Sequence, residues 1–79
     1  MALNDEIRIA RQKAFFSQEA FSQKLHVSVS TVNRWETGKC KPNLAAMKSL
    51  KLFCNEHEIP YSSIEAEWLA INNNSEREN

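Results

Sequence analysis

One glycine, Gly38, and two prolines, Pro42 and Pro60, are all that a chain of 79 residues has of either type. Tight β-hairpins draw heavily on glycine, and no stretch sustains the alternation of apolar and polar residues that a half-buried strand needs. Helices remain, since they require only a capping residue to begin and a tolerated left-handed residue to stop. Helix signals recur along the whole chain. Asn4 is placed to cap a first helix, with Asp5 and Glu6 in its first turn and Ile7, Ala10 and Ala14 on one face. Ser17 is a second cap, with Phe16 and Phe21 at the two positions of a hydrophobic staple and Leu25 also facing inward. Ser28 is a third, with Val27 and Val32 repeating the staple and Trp35 extending the inner stripe.

Gly38 stands where a C-terminal glycine ends that helix, and Lys39, Cys40 and Lys41 form a loop closed by Pro42. Asn43 caps a fourth helix, whose inner residues are predicted as Leu44, Met47, Leu50 and Cys54. Leu52 and Phe53 fall off that stripe, which leaves two uses for them: filling a core enlarged by the fifth helix, or a dimer contact with Trp68 and Leu69. Pro60 breaks the chain again. Ser62 with Glu65 forms a capping box for a short fifth helix, with Ile64, Trp68, Leu69 and Ile71 on its apolar side. The expected architecture is all-α, a compact bundle of about five helices. Residues 1–71 form one domain, and 72–79 a flexible polar C-terminal tail with no apolar anchor.

Composition narrows the class. Apolar residues make up 42% and charged residues 25%, which suits an ordinary globular domain. No apolar run exceeds four residues, and Met1–Glu6 lacks the basic-then-apolar pattern of a signal peptide, so the expected location is cytoplasmic. Ten Lys or Arg balance ten Asp or Glu, but unevenly. Residues 8–51 hold nine basic residues against Glu19 and Glu36, a surplus of seven, while residues 52–79 hold Arg77 against six acids. The middle is thus as basic as a small DNA-binding domain, whose affinity for phosphates comes from Lys and Arg.

Residues 18–37 have the dimensions of a helix-turn-helix unit: about eight helical residues, a short turn, and about nine more. A short turn forces the two helices to cross steeply, and Ser22 is the small residue that lets them touch. Phe21, Leu25, Val27, Val32 and Trp35 form an apolar wedge that fixes the angle. The second helix rises about 13 Å, close to the ~12 Å width of the DNA major groove.

Phe16-Ser17-Gln18-Glu19-Ala20-Phe21, Leu25-His26-Val27-Ser28, Ser30-Thr31-Val32-Asn33-Arg34-Trp35-Glu36, Gly38-Lys39 and Lys41-Pro42 together resemble the lambda-repressor-like (Xre/Cro-cI) helix-turn-helix family. The likeness runs without gaps from about Ile7 to Cys54. It implies that helix 3 (about 29–37) enters the major groove and that a homodimer binds an inverted-repeat operator in double-stranded DNA. Position by position it implies base reading by Val29, Ser30, Asn33 and Arg34, with Arg34 on guanine, Asn33 on adenine and Val29 on a thymine methyl. Ser17, Gln18, Ser28, Lys39 and Lys41 match phosphate-contacting positions. Arg11 and Glu36 match a buried ion pair joining helix 1 to helix 3. The family has glycine in the turn where this chain has His26, at a cost of about 1 kcal/mol for a left-handed non-glycine. It also has glycine closing helix 1, where Phe15 is expected to lengthen the helix or reshape its corner.

Catalysis finds no foothold: no nucleophile has an evident base, no Gly-rich phosphate loop exists, and His26 and His57 stand alone. Cys40 and Cys54 lack a paired spacing and read as a surface thiol and a small core residue, so neither a metal nor another cofactor is expected. The expected function is a sequence-specific transcriptional regulator, a dimeric repressor that blocks a promoter by covering it. Its dimer contact is assigned to helix 5 through Trp68 and Leu69. An antitoxin-like module remains open, in which the acidic C-terminal segment binds a protein partner and DNA binding serves autoregulation. So does an adaptor that brings another enzyme to DNA.

Overall fold

The computed structural model describes residues 2–78, with side chains described through residue 71. Five helices follow one another: α1 (Leu3–Lys13), α2 (Gln18–Lys24), α3 (Val29–Glu36), α4 (Leu44–Glu56) and α5 (Ser62–Glu78). No strand occurs among the described residues. Three helices start as their sequences dictate. The Ser17 hydroxyl accepts from Ala20 N–H, Ser28 from Thr31 N–H, and the Asn43 carbonyl oxygen from Ala46 N–H. Each satisfies one backbone donor that the first helical turn leaves without a partner.

The other two starts differ from expectation. The cap of α1 is Ala2, whose side chain makes no capping bond, and Asn4 lies inside the helix. Its amide donates instead to Glu36 O at 3.4 Å, a long-range contact that competes with the local cap. At α5 the helix begins with Ser62 itself, and Glu65 N–H bonds Tyr61 O at 3.0 Å. Ser62 is therefore the first helical residue, one place too far along to cap. The helix runs on to Glu78. The expected flexible tail, 72–79, falls on residues whose side chains lie outside the described ones.

Four helices end in one hydrogen-bond pattern. After α1, Phe16 N–H reaches Arg11 O and Phe15 N–H reaches Gln12 O; after α2, Val27 reaches Ser22 O and His26 reaches Gln23 O. Lys39 to Arg34 O with Gly38 to Trp35 O, and Ile59 to Cys54 O with Glu58 to Asn55 O, repeat it after α3 and α4. This double bond pair requires a left-handed residue between helix and exit. Gly38 supplies it at φ 80°, but Phe15 and His26 adopt φ 60° and Glu58 φ 56°. Phe15 therefore does not lengthen α1, which ends at Lys13. The cost of about 1 kcal/mol at each non-glycine is offset by the next residue. Phe16, Val27 and Ile59 all pack against the core there.

That core gathers Ile7 from α1, Phe21 from α2, Val32 and Trp35 from α3, Met47, Leu50, Phe53 and Cys54 from α4, and Ile64 from α5. Phe53 lies at its centre. The rings of Phe16 and Phe21 meet it edge-on at 5.1 and 4.9 Å between centroids, and His57 lies 4.5 Å from it. Phe53 is thus a core residue facing α2 and its entry corner. Of the two uses that its place off the stripe left open, Phe53 therefore has the first, filling the core. Leu44 is the reverse case: it was assigned inward and is 63% exposed, because it is the first residue of α4 and projects beyond the bundle. Leu52 is also exposed.

Candidate nucleic-acid interface

Helices α2 and α3 form the expected unit. Phe21, Leu25, Val32 and Trp35 are buried and Val27 is half-buried between them, which fixes the crossing. Ser22 is buried at the contact, and its hydroxyl donates back to Glu19 O at 2.7 Å, so the small polar side chain costs no unsatisfied group. The wedge holds α3 by one face only. Val32, Trp35 and Glu36 turn inward, while Val29, Ser30, Asn33 and Arg34 are all exposed along the opposite side. A row of one apolar, two polar and one cationic side chain on a rigid helix suits the donor, acceptor and methyl pattern of a major groove.

The rigidity has a specific source at the C-terminal end of α3. The Arg11 guanidinium grips Glu36 through Nε at 2.7 Å and Nη2 at 2.9 Å, and its Nη1 donates to Phe16 O at 2.8 Å. Gln18 Nε2 adds a bond to Glu36 Oε1 at 3.1 Å. The Glu36 side chain is 4% exposed and that of Arg11 13%, so a forked pair joins α1, the α1–α2 corner, α2 and α3 largely out of water. The Glu36 hydrogen bond raises the Arg11 pKa, against the opposing effect of burial, and charge attraction to Glu36 adds to the rise. No buried side-chain polar atom among the described residues lacks a partner.

Gln18 thus carries two demands. The phosphate role assigned to it uses an amide that already spends one N–H on Glu36, which leaves a second N–H and the carbonyl oxygen. Its half-buried position fixes the amide without enclosing it. The link to Glu36 was not read from the sequence, and neither was the Asn4 bond to the end of α3. Both are long-range contacts, for which residue spacing gives no signal. Ser17 and Ser28 are exposed, but their hydroxyls are already engaged as caps, and Ser28 also bonds the Thr31 hydroxyl at 2.8 Å.

Arg34, Lys39 and Lys41 crowd the exit of α3. Arg34 O accepts from both Lys39 N–H and Cys40 N–H, which folds the loop back over the helix end, and all three basic side chains are exposed. Lys41 lies over the Trp68 ring at 5.8 Å. The basic middle of the chain is only partly available as positive surface. Arg11 is consumed by Glu36, Lys24 pairs with Glu56 at 3.3 Å, and Arg8 with Asp5 at 3.1 Å. On α5, Trp68 is half-buried, and Leu69 is 46% exposed.

Cys40 is half-buried and Cys54 buried, both as free thiols. No group of three His, Cys, Asp or Glu able to hold a metal occurs among the described residues. None of the described helices is long and apolar enough to cross a membrane.

Known proteins give two likenesses. The HTH_3 family, described as helix-turn-helix, matches residues 7–56. An HTH-type transcriptional activator of Enterococcus faecalis, BcrR, is 30% identical over 53 residues, which are 67% of this chain and 26% of that protein. The chain therefore spans about a quarter of the length of this curated relative. No solved structure matches.

Proposed function

The chain belongs to the HTH_3 helix-turn-helix family, and from that premise we propose that it is a DNA-binding transcription regulator, a dimeric repressor reading a short inverted repeat. One observation carries the reading most directly. A single helix, α3, is anchored by Val32, Trp35 and the Arg11–Glu36 pair, and bares Val29, Ser30, Asn33 and Arg34 to solvent. A helix held this way keeps its side chains in register with base edges and loses little entropy on binding.

In the proposed complex Arg34 donates to guanine O6 and N7, Asn33 pairs with adenine, Ser30 makes a polar base contact and Val29 meets a thymine methyl. Ser17, Gln18, Ser28, Lys39 and Lys41 hold phosphates and set the register. A second copy joins through α5, where Trp68 and Leu69 offer apolar surface. Repression then needs no further chemistry, since a bound dimer occludes the promoter. The chain is not an enzyme in this reading and acts in the cytoplasm.

Selection of bound duplexes from a random pool tests the proposal. An enriched site with two-fold symmetry supports a dimer, and its half-site spacing reports the separation of the two α3 helices. Arg34→Ala is expected to relax one base position, whereas Gln18→Ala weakens all sequences alike. No enrichment, or an Arg34→Ala variant with unchanged affinity and preference, defeats the assignment.

A second reading is favoured by the acidic segment after residue 52, where Leu69 and Ile71 are exposed near Glu65 and Glu67. Such a segment suits a basic protein partner, with DNA binding then serving autoregulation. Loss of a co-purifying basic protein on deletion of residues 60–79 separates it from the first reading.

A further inference from the structure

Thr37 lies just past the last residue of α3 and is exposed. Its backbone is still αR, at φ −94° and ψ −1°, so the helical phase of α3 runs on through it. It follows Asn33 by four residues and Arg34 by three, which are the spacings of one helix face. At 3.6 residues per turn it stands about 40° round the axis from Asn33 and about 20° from Ser30. The row of Val29, Ser30, Asn33 and Arg34 therefore has a fifth member at its C-terminal end.

The Thr37 hydroxyl is already oriented. Oγ1 donates to Asn33 O at 2.9 Å, with Arg34 O a second, longer acceptor at 3.4 Å. Both are carbonyl oxygens, which can only accept, so the one hydroxyl proton is directed at the helix. What Oγ1 has left for a ligand is lone pairs. A phosphate oxygen offers them no donor, but the exocyclic amine of cytosine or adenine does. Every base pair carries one such amine at its major-groove edge, and its strand sets its place there.

We propose that Thr37 is a further base-reading residue, whose Oγ1 accepts from the N4 amine of cytosine or the N6 amine of adenine. An acceptor at a fixed point tells a base pair from its inverted form, because inversion sets guanine O6 or thymine O4 against it. The bond to Asn33 O and the stiff β-branched side chain hold the oxygen in place before DNA arrives, so little entropy is lost on contact. One helical turn separates Thr37 from Asn33, which puts its base pair within about two of the pair read by Asn33.

The inference rests on the DNA-binding reading, with α3 in the groove. Duplexes are selected from a random pool with the full wild-type chain and with Thr37→Val, which keeps the side-chain shape and removes the oxygen. The wild type should fix the orientation of one base pair that Thr37→Val leaves open. On the wild-type site Thr37→Val should bind about two- to tenfold more weakly, the size of one neutral hydrogen bond. The salt dependence should not change, since no phosphate contact is lost. Thr37→Ser keeps the oxygen and should keep the preference.

Base analogues carry the test on the unaltered protein. Purine in place of adenine, or 2-pyrimidinone in place of cytosine, lacks the amine and shows which base supplies it. The analogue should weaken wild-type binding by the same factor and leave Thr37→Val unaffected. If Thr37→Val weakens all sequences alike and flattens the salt slope by about 0.9, Thr37 is a phosphate contact and the base-reading role is overturned. A lower melting temperature with unchanged site and affinity reduces the hydroxyl to a cap on α3 and overturns it equally. A wild-type chain that selects no duplex overturns the DNA-binding reading and this inference with it.

Discussion

The inner and outer faces of α3 share eight residues and one backbone, yet they differ in what anchors them. Inward, Val32 is fully buried, Trp35 is 3% exposed, and Glu36 closes a forked ion pair with Arg11. Outward, Val29, Ser30, Asn33 and Arg34 are exposed, and no side-chain partner of theirs is seen among the described residues. A helix of this length is marginal by itself, so its stability comes from the inner face. The outer face is then free to vary without unfolding the domain. Substitutions inward should cost stability and leave base preference alone, and substitutions outward should do the opposite.

Glu36→Ala is the strongest probe of that division. It leaves the Arg11 guanidinium out of water with only Phe16 O as partner and releases the Gln18 amide. Removing one member of a buried pair costs about 3–5 kcal/mol, which is a large part of what a domain this small has. Denaturant unfolding should show that loss. Any selected site should keep its sequence, and a shift in base preference would show that the two faces are not independent.

Alkaline titration probes how dry the interior behind α3 is. Burial pushes the Cys54 thiol up from 9.0 to about 11. The folded state therefore resists an ionisation that the unfolded chain undergoes freely. The contribution is full below about pH 9 and is lost as pH rises toward 11, by up to about 3 kcal/mol. Tyr61 is raised too, by burial first and then by the charges of Glu65 and Cys54, so it adds a loss of the same sign at higher pH. Urea melts at about pH 8 and 10.5 should differ, and Cys54→Ala should remove most of the difference.

Arg34→Ala makes the outward case. Stability should stay within about 0.5 kcal/mol, as for a surface position away from caps and core. Affinity for a selected duplex should fall by about 1–3 kcal/mol with discrimination lost at one base pair. Unfolding and binding measured on the same sample place the variant on one face or the other.

The inner face was legible because its rules are local and periodic. Ser17, Ser28 and Asn43 cap where spacing put them, and Phe21, Leu25, Val32 and Trp35 are buried as their period required. Sequence reading failed where a distant residue outbid a near one. Asn4 caps nothing because Glu36 O lies within reach, and the choice between the two uses left open for Phe53 is made by Phe16 and Phe21, whose rings meet it. Periodicity along one helix carries no information about partners that distant. The resemblance named Arg11 and Glu36 together, but nothing in the spacing of residues 11, 18 and 36 shows that Gln18 joins them. The bond of the Trp68 indole to Pro42 O was hidden for the same reason.

Phe15 tests a corner that belongs to neither face. It adopts φ 60° with its side chain 96% exposed, so it bears left-handed strain and gains no burial in return. Gly38 holds the same hydrogen-bonded position after α3 at φ 80° without a Cβ. Phe15→Gly relieves the contact between Cβ and the backbone while keeping the bonds of Phe15 N–H to Gln12 O and Phe16 N–H to Arg11 O. Glycine also has more conformational freedom to lose on folding, which offsets part of the gain. The expected balance is a stabilisation of about 1 kcal/mol, seen as a rise in melting temperature. Val27 and Ile59 follow left-handed His26 and Glu58 as Phe16 follows Phe15, and all three pack on the core. If Phe15→Gly is neutral or destabilising instead, the strain is already relaxed at the corner, and the packing of Phe16 sets its shape more than the identity of the residue before it.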